Sequence, residues 1–165
     1  MTLDTSTLIL LAKAELLELF LEHFGQQVAI PKEVEREACG EKRSLDTFMI
    51  ERAINDGKLK VLAIKDRRMC RKIAADFSLG SGEVEAIVLA SSEKDLLGID
   101  DKKGINACKL LGIPFTTAIA LLVRMREKRV LTTRQSLVAL SKLDRFGRYK
   151  SEIVENARVR LEKEK

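Results

Sequence analysis

Aromatic residues are scarce in this sequence. It has no tryptophan, one tyrosine and six phenylalanines, which together make up 4% of 165 residues. Extensive stacking of side chains on nucleobases is therefore not expected. His23 is the only histidine. We expect it to lie at a helix end, and a structural zinc site or a histidine general base is not predicted.

Cysteine is also sparse, and no apolar run is long. Cys39, Cys70 and Cys108 lie far apart without a C-x-x-C pair, which predicts reduced thiols in a cytoplasmic protein. No uncharged apolar run approaches the roughly 20 residues that span a bilayer. The first residues carry Asp4 but no early basic residue, so neither a signal peptide nor a membrane partner is expected.

Short strand-like segments alternate with longer helical patterns along the chain. Apolar residues make up 45% of the sequence, enough for the core of one domain over residues 1–165. Alternation of this kind predicts an α/β fold with a central, mostly parallel sheet. The predicted strands are residues 2–3, 28–30, 59–64, 96–99 and 113–115. The predicted helices are residues 5–23, one that starts near Pro31, 44–55, 67–77, 83–91, 102–111, 117–128, 133–142 and 151–162.

The first predicted helix, over residues 5–23, is apolar on most of its sides. A helix of this kind is either buried in the core or uses its spare face against a second subunit. The second possibility predicts a homodimer.

Charge divides the chain into two parts. Residues 1–115 carry 17 basic against 19 acidic side chains, whereas residues 116–165 carry 13 against 6. This asymmetry predicts an acidic core beside a basic, helical C-terminal part that holds a polyanion; a solubilising tail is the alternative. The candidate phosphate contacts, for which solvated helix faces are an equal explanation, are Arg67, Arg68, Arg71, Lys72, Lys102, Arg124 and Arg126.

Acidic residues follow or flank the predicted strands. They are Asp4, Glu33, Glu37, Glu83, Glu85, Asp100 and Asp101. The carboxyl ends of parallel strands meet at one edge of a sheet, so we expect several of these acids to converge there. Their mutual repulsion would require a divalent cation, and carboxylates with Mg²⁺ or Mn²⁺ cut phosphodiesters. Taken singly, each acid is explained as a helix cap, a solvated helix residue or a turn residue.

Four motifs in this order resemble the PIN domain family, and within it the prokaryotic VapC-like group of predicted nucleic-acid-binding proteins. The motifs are Asp4-Thr-Ser6, Pro31-Lys-Glu-Val-Glu-Arg-Glu37, Gly82-Glu-Val-Glu85-Ala-Ile-Val-Leu-Ala90, and Ile99-Asp-Asp-Lys-Lys-Gly104 followed by Leu111-Gly-Ile113. The resemblance implies a three-layer α/β/α sandwich and an endoribonuclease that depends on Mg²⁺ or Mn²⁺. It also implies an RNA substrate and, for a toxin of this group, a small antitoxin protein as partner.

The resemblance also assigns roles to residues. The catalytic acids are Asp4, Glu37, Glu85 and Asp101, and the metal ligands are Asp4, Asp101, Glu85 and Asp100. Glu83 competes with Glu85, and Asp100 with Asp101. Thr5 and Ser6 are supporting hydroxyls. Ile99 departs from the pattern, because many PIN domains have a threonine there, and a weakly active or inactive RNA-binding module is therefore the alternative function.

Overall fold

The structure, a computed structural model, describes residues 1–40 and 44–163. In these ranges the strands are β1 (Thr2–Leu3), β2 (Val28–Pro31), β3 (Leu59–Leu62), β4 (Leu97–Gly98) and β5 (Phe115–Thr116). The helices are α1 (Thr5–Lys13), α2 (Leu17–His23), α3 (Lys32–Cys39), α4 (Leu45–Asn55), α5 (Arg67–Phe77), α6 (Ser81–Glu93), α7 (Lys102–Leu111), α8 (Ala118–Glu127), α9 (Thr133–Phe146) and α10 (Ser151–Glu162).

The five strands form one parallel sheet in the order β3-β2-β1-β4-β5. Every residue of β2 is buried. Because successive strand residues point to opposite faces of a sheet, helices must cover both faces here, as in other parallel sheets. The predicted three-layer α/β/α sandwich is confirmed.

The chain order places a topological switch point between β1 and β4. From β1 the chain moves outward to β2 and β3, and it then returns to the other side of β1 to form β4 and β5. Crevices at such switch points, beyond the carboxyl ends of the strands, are the usual binding sites of open α/β sheets. The residues that follow β1 and β4 therefore flank the expected functional edge.

The predicted first helix is two helices in the structure. Glu15 has a positive φ of 58° and interrupts the chain between α1 and α2. A straight helix over residues 5–23 would be ~28 Å long, far longer than strands of two to four residues, so the break folds it back onto the core. Leu16, Leu17 and Phe20 are buried after the break. The apolar face of α1 packs against α3, α4 and α9 of the same chain.

The three C-terminal helices share the hydrophobic core with the rest of the chain. α8, α9 and α10 pack on one another, and α8 and α9 also pack on α1. Leu122, Leu140 and Leu161, one from each helix, are fully buried in the same apolar cluster as Leu3 of β1. In the part of the chain that the structure describes, no helix has the length and apolar character to cross a membrane.

Gly104 and Ile99 give a test of this packing. A Cβ on Gly104 would collide with Cδ1 of Ile99 and lie 3.1 Å from its Cγ1, and Ile99 is fully buried. Gly104→Ala should therefore lower the free energy of unfolding by about 1–3 kcal/mol, although alanine is favoured over glycine in a helix by about 1 kcal/mol. Urea titration measures the effect.

The matched double variant decides the cause. Ile99→Val removes Cδ1 and should cost about 0.5–1.5 kcal/mol alone, yet it should restore most of the stability lost in Gly104→Ala. Additive losses in the double variant would show that the two side chains do not compete for one space.

Candidate active site

The acids that follow β1 and β4 lie side by side. Asp4 comes directly after β1, and its backbone N–H donates to the carbonyl of Gly98 in β4 at 2.9 Å. Asp100 and Asp101 come shortly after Gly98. The three acids therefore flank the switch point at one edge of the sheet.

Two hydroxyl side chains at the start of α1 join Asp4 to Asp100. The Ser6 hydroxyl donates to Oδ2 of Asp4 at 2.7 Å, and the Ser6 oxygen accepts the N–H of Asp100 at 3.3 Å. The Thr7 backbone N–H donates to Oδ1 of Asp4 at 2.8 Å, while the Thr7 hydroxyl donates to Oδ2 of Asp100 at 2.7 Å. Asp4 is thus the N-cap of α1 and a member of an acid pair at the same time.

Burial sets the protonation of this pair. Asp4 has no exposed surface, and burial raises its pKa to about 7, with a further contribution from the charge of Asp100. Burial also raises the pKa of Asp100. Desolvation disfavours the charged form of a carboxyl group, so both acids are harder to ionise in the folded protein than in water.

Asp100 accepts two further hydrogen bonds from distant parts of the chain. The N–H of Ala118, at the start of α8, donates to Oδ2 at 2.9 Å. The hydroxyl of Tyr149, in the connection between α9 and α10, donates to Oδ1. No local sequence pattern points to Tyr149, because it is 49 residues from its partner and no motif surrounds it. Its being the single tyrosine, placed between two helical patterns, was the only available signal.

A second group of acids lies at the start of α6. The Thr5 hydroxyl donates to Oε2 of Glu37, and the N–H of Gly82 donates to Oε1 at 3.0 Å. A Cβ on Gly82 would collide with the Glu37 carboxylate, so glycine permits this approach. Burial raises the pKa of Glu83, and the neighbouring charges of Asp101 and Glu37 raise it further. Glu37, Glu83 and Asp101 are therefore neighbours.

Asp101 also ends the loop before α7. Its Oδ1 accepts the N–H groups of Lys103 at 2.7 Å and Gly104 at 3.1 Å, which makes it the N-cap of that helix. Asp100 and Asp101 consequently have different surroundings: Asp100 faces Asp4 through Thr7, and Asp101 faces Glu83.

Glu85 points away from this group. It is 8% exposed, its Oε1 forms an ion pair with the guanidinium of Arg67, and its Oε2 accepts the N–H of Glu33 at 3.3 Å. Residues two apart on a helix are separated by about 200° around its axis. Of the two competing glutamates, the structure brings Glu83 next to Glu37 and Asp101, and it places Glu85 beside α3 and α5.

Glu33 does not accompany Glu37 either. Its carboxylate pairs with Arg36 one turn further along α3, and this hydrogen bond lowers the pKa of Glu33. Glu33 contributes its backbone N–H to Glu85, while Glu37 extends to Thr5 and Gly82.

The donor atoms at this edge are of the chemical type that binds a hard dication. They are carboxylate and hydroxyl oxygens, the ligands that Mg²⁺ and Mn²⁺ prefer, and the buried Asp4 and Asp100 are carboxylates whose ionised form a cation would stabilise. Within residues 1–40 and 44–163, no three Asp, Glu, His or Cys side chains already converge as a metal would require. Asp4 and Asp100 are the residues that would hold the ion.

The predicted phosphate contacts lie on three helices. Arg67, Arg68, Arg71 and Lys72 lie on the exposed side of α5, and Lys102 lies next to Asp101 at the start of α7. Arg124 and Arg126 lie in the last turn of α8. Because Ala118 at the start of α8 contacts Asp100, Arg126 is ~12 Å further along the helix axis.

Comparison with known proteins gives one family. The sequence model of a family described as PIN domain matches residues 1–164. The chain has no match among the curated proteins or the solved structures.

The burial of Asp4 predicts a particular dependence of stability on pH. The pKa in the folded protein, about 7, lies above the ordinary value of 3.8, so folding binds a proton and stability falls as the pH rises from about 4 to about 7. The loss amounts to about 4 kcal/mol when it is complete. Asp4→Asn removes the ionisable group, so in EDTA it should unfold at higher denaturant than the wild type at pH 8.

The same comparison contains its control. The two proteins should converge below about pH 3, where Asp4 is protonated in both the folded and the unfolded state. Equal urea midpoints at pH 8 would contradict a buried, disfavoured charge at Asp4.

Proposed function

Because the chain belongs to the PIN domain family, whose fold is of the nuclease type, we propose that it is a metal-dependent endoribonuclease that hydrolyses RNA phosphodiesters. The site is the edge of the sheet between β1 and β4. The observation that carries the proposal is the buried pair Asp4 and Asp100, which Ser6 and Thr7 hold together at the switch point.

Asp4 and Asp100 hold Mg²⁺ or Mn²⁺ in this proposal. When bound there, such an ion would neutralise charge on the phosphate and lower the pKa of water. Thr7 donates to both carboxylates, whereas Ser6 donates to the Asp4 carboxylate and accepts the backbone N–H of Asp100. Their hydrogen bonds keep the ligand atoms in place before the substrate arrives, which is the usual contribution of groups behind metal ligands.

Glu83, Glu37 and Asp101 form the outer part of the site. Burial and two acidic neighbours raise the pKa of Glu83. This suits it to accept the proton that the attacking water loses as its oxygen bonds to phosphorus and the bond from phosphorus to the leaving ribose oxygen breaks. The proposal takes Glu83, not Glu85, as the catalytic glutamate of α6. It rests on the neighbours of each side chain: acids around Glu83 and a guanidinium beside Glu85.

Arg67 is the residue proposed to bind a phosphate of the substrate. Its side chain is 60% exposed although the buried Glu85 holds one guanidinium nitrogen, so the remaining N–H groups are free to bind a phosphate in the planar geometry that arginine favours. Lys102 and Lys103 lie next to Asp101, at the start of α7. With so few aromatic residues, RNA binding depends on phosphate contacts.

An RNA-binding module with little catalysis is the second candidate. Two observations favour it: no three metal-binding side chains converge in the described part of the chain, and the fully buried Ile99 stands where many PIN domains have a threonine. Binding of RNA without metal-dependent cleavage would select this candidate.

The finer physiological role extends the proposal. We propose a toxin that a small antitoxin protein inhibits, acting as one domain and as a homodimer. The single apolar cluster from Met1 to Leu161 supports one domain. The toxin role rests on the VapC-like motifs, and growth arrest on expression that Asp4→Asn abolishes would test it.

Cleavage of a generic RNA tests the chemistry. The wild type should cut in Mn²⁺ and not in EDTA, and Asp4→Asn and Glu83→Gln should each lower kcat by about 100-fold or more, since general acid–base groups contribute about 10²–10⁴. Glu85→Gln, two residues away on the same helix, is the matched control and should keep most of kcat. Full activity in Glu83→Gln combined with loss in Glu85→Gln would reverse the assignment.

RNA binding in EDTA tests the proposed phosphate contact of Arg67 separately from the chemistry. Arg67→Ala should weaken binding and reduce the slope of log K against log salt by about 0.7–0.9, the value for one lost phosphate contact. Arg158→Ala is the control, because Arg158 is another exposed arginine paired with a glutamate, Glu155, but on α10.

Glu85→Gln should weaken RNA binding in the same direction as Arg67→Ala, because it frees the arginine side chain. The double variant should bind no more weakly than Arg67→Ala alone. A full, additive second loss would show that Glu85 does not act through Arg67.

A further inference from the structure

Tyr149 reaches the acidic site from outside the motifs that define it. Its hydroxyl donates to Oδ1 of Asp100, the oxygen that Thr7 and Ala118 do not use. The ring packs against the hydrophobic core and is only partly exposed. A tyrosine hydroxyl has an ordinary pKa of about 10, so at neutral pH it is protonated and acts as a hydrogen-bond donor.

The chain around Tyr149 is shaped to hold the ring in this place. A Cβ on Gly147 would collide with the Tyr149 ring, so the glycine lets the chain pass close to it. The flanking helices α9 and α10 are anchored by the fully buried Leu143 and Leu161. The hydroxyl is thus presented to Asp100 by a fixed part of the fold.

We propose that Tyr149 is a positioning residue for the metal ligand Asp100, an inference that rests on the proposed function. Thr7 and Ala118 fix Oδ2, and Tyr149 fixes Oδ1. A carboxylate has about four acceptor positions, so with these three donors in place the carboxylate cannot rotate and one acceptor position is left for a cation. Because Oδ2 accepts two hydrogen bonds and Oδ1 accepts one, the remaining acceptor position is on Oδ1.

This assignment gives the C-terminal part of the chain a role in the chemistry. The start of α8 and the connection between α9 and α10 both donate to Asp100. The hydrogen bonds that fix the Asp100 carboxylate therefore form only when residues 117–149 are folded, although the four motifs end at Ile113.

Titration of the metal-free protein with Mg²⁺ tests the inference by calorimetry, without RNA. Tyr149→Phe keeps the ring and removes the hydroxyl, and it should weaken Mg²⁺ binding about 10-fold or more, as for other groups that support metal ligands. Its RNA affinity in EDTA should equal that of the wild type. Ser136→Ala is the matched control, because it removes a buried hydroxyl from α9 that bonds only the carbonyl of Thr133.

The emission of the protein gives a second readout. The chain has one tyrosine and no tryptophan, so its tyrosine fluorescence reports on Tyr149 alone. The wild type should show a saturable change with Mg²⁺, and Asp100→Asn should show none.

Each result has one meaning. Equal Mg²⁺ affinity in Tyr149→Phe and the wild type would overturn the positioning role, and tighter binding in the variant would make the hydroxyl a competitor of the ion. Absence of Mg²⁺ and Mn²⁺ binding in the wild type would instead overturn the proposed function, and the inference with it.

Discussion

The structure depends on burying two carboxylates, Asp4 and Asp100, next to each other at the centre of a parallel sheet. Burial disfavours the charge of both, and like charges at short range add to the cost. The fold offsets this with donors: Ser6 and Thr7 at the start of α1, Ala118 at the start of α8, and Tyr149. Each of these segments therefore contributes to satisfying the pair.

Topology explains why the donors come from such distant segments. β1 and β4 are adjacent in the sheet although Leu3 and Gly98 are far apart in sequence, so the acids that follow them meet only after three crossovers are complete. The C-terminal helices, of which α8 and α9 pack on α1, then supply Ala118 and Tyr149. The basic part of the chain shares its apolar cluster with the acidic part and donates two hydrogen bonds to Asp100.

Sequence patterns predict the fold well because the fold depends on local periodicity and chain order. The bounds of α5, α7 and α10 match the predicted ranges, and the parallel sheet follows from alternation of strands and helices. The break at Glu15 was missed, because a left-handed residue inside an apolar helical pattern leaves no local signal. The site is predictable only in outline. Whether Glu83 or Glu85 faces the acids depends on Arg67 and Asp101, which lie elsewhere in the sequence.

The partners of each acid separate two kinds of carboxylate. Asp4, Asp100 and Glu37 receive hydrogen bonds from hydroxyls and backbone N–H groups, which stabilise a carboxylate without cancelling its charge. Glu33 and Glu85 are paired with arginines, which do cancel it. An edge held together by neutral donors keeps the negative potential of its ionised carboxylates, and the proposed Mg²⁺ or Mn²⁺ would relieve it. If lysine or arginine stood at position 6, 7 or 149, its positive charge would neutralise the carboxylates of Asp4 and Asp100. The site would then gain little from binding a metal ion.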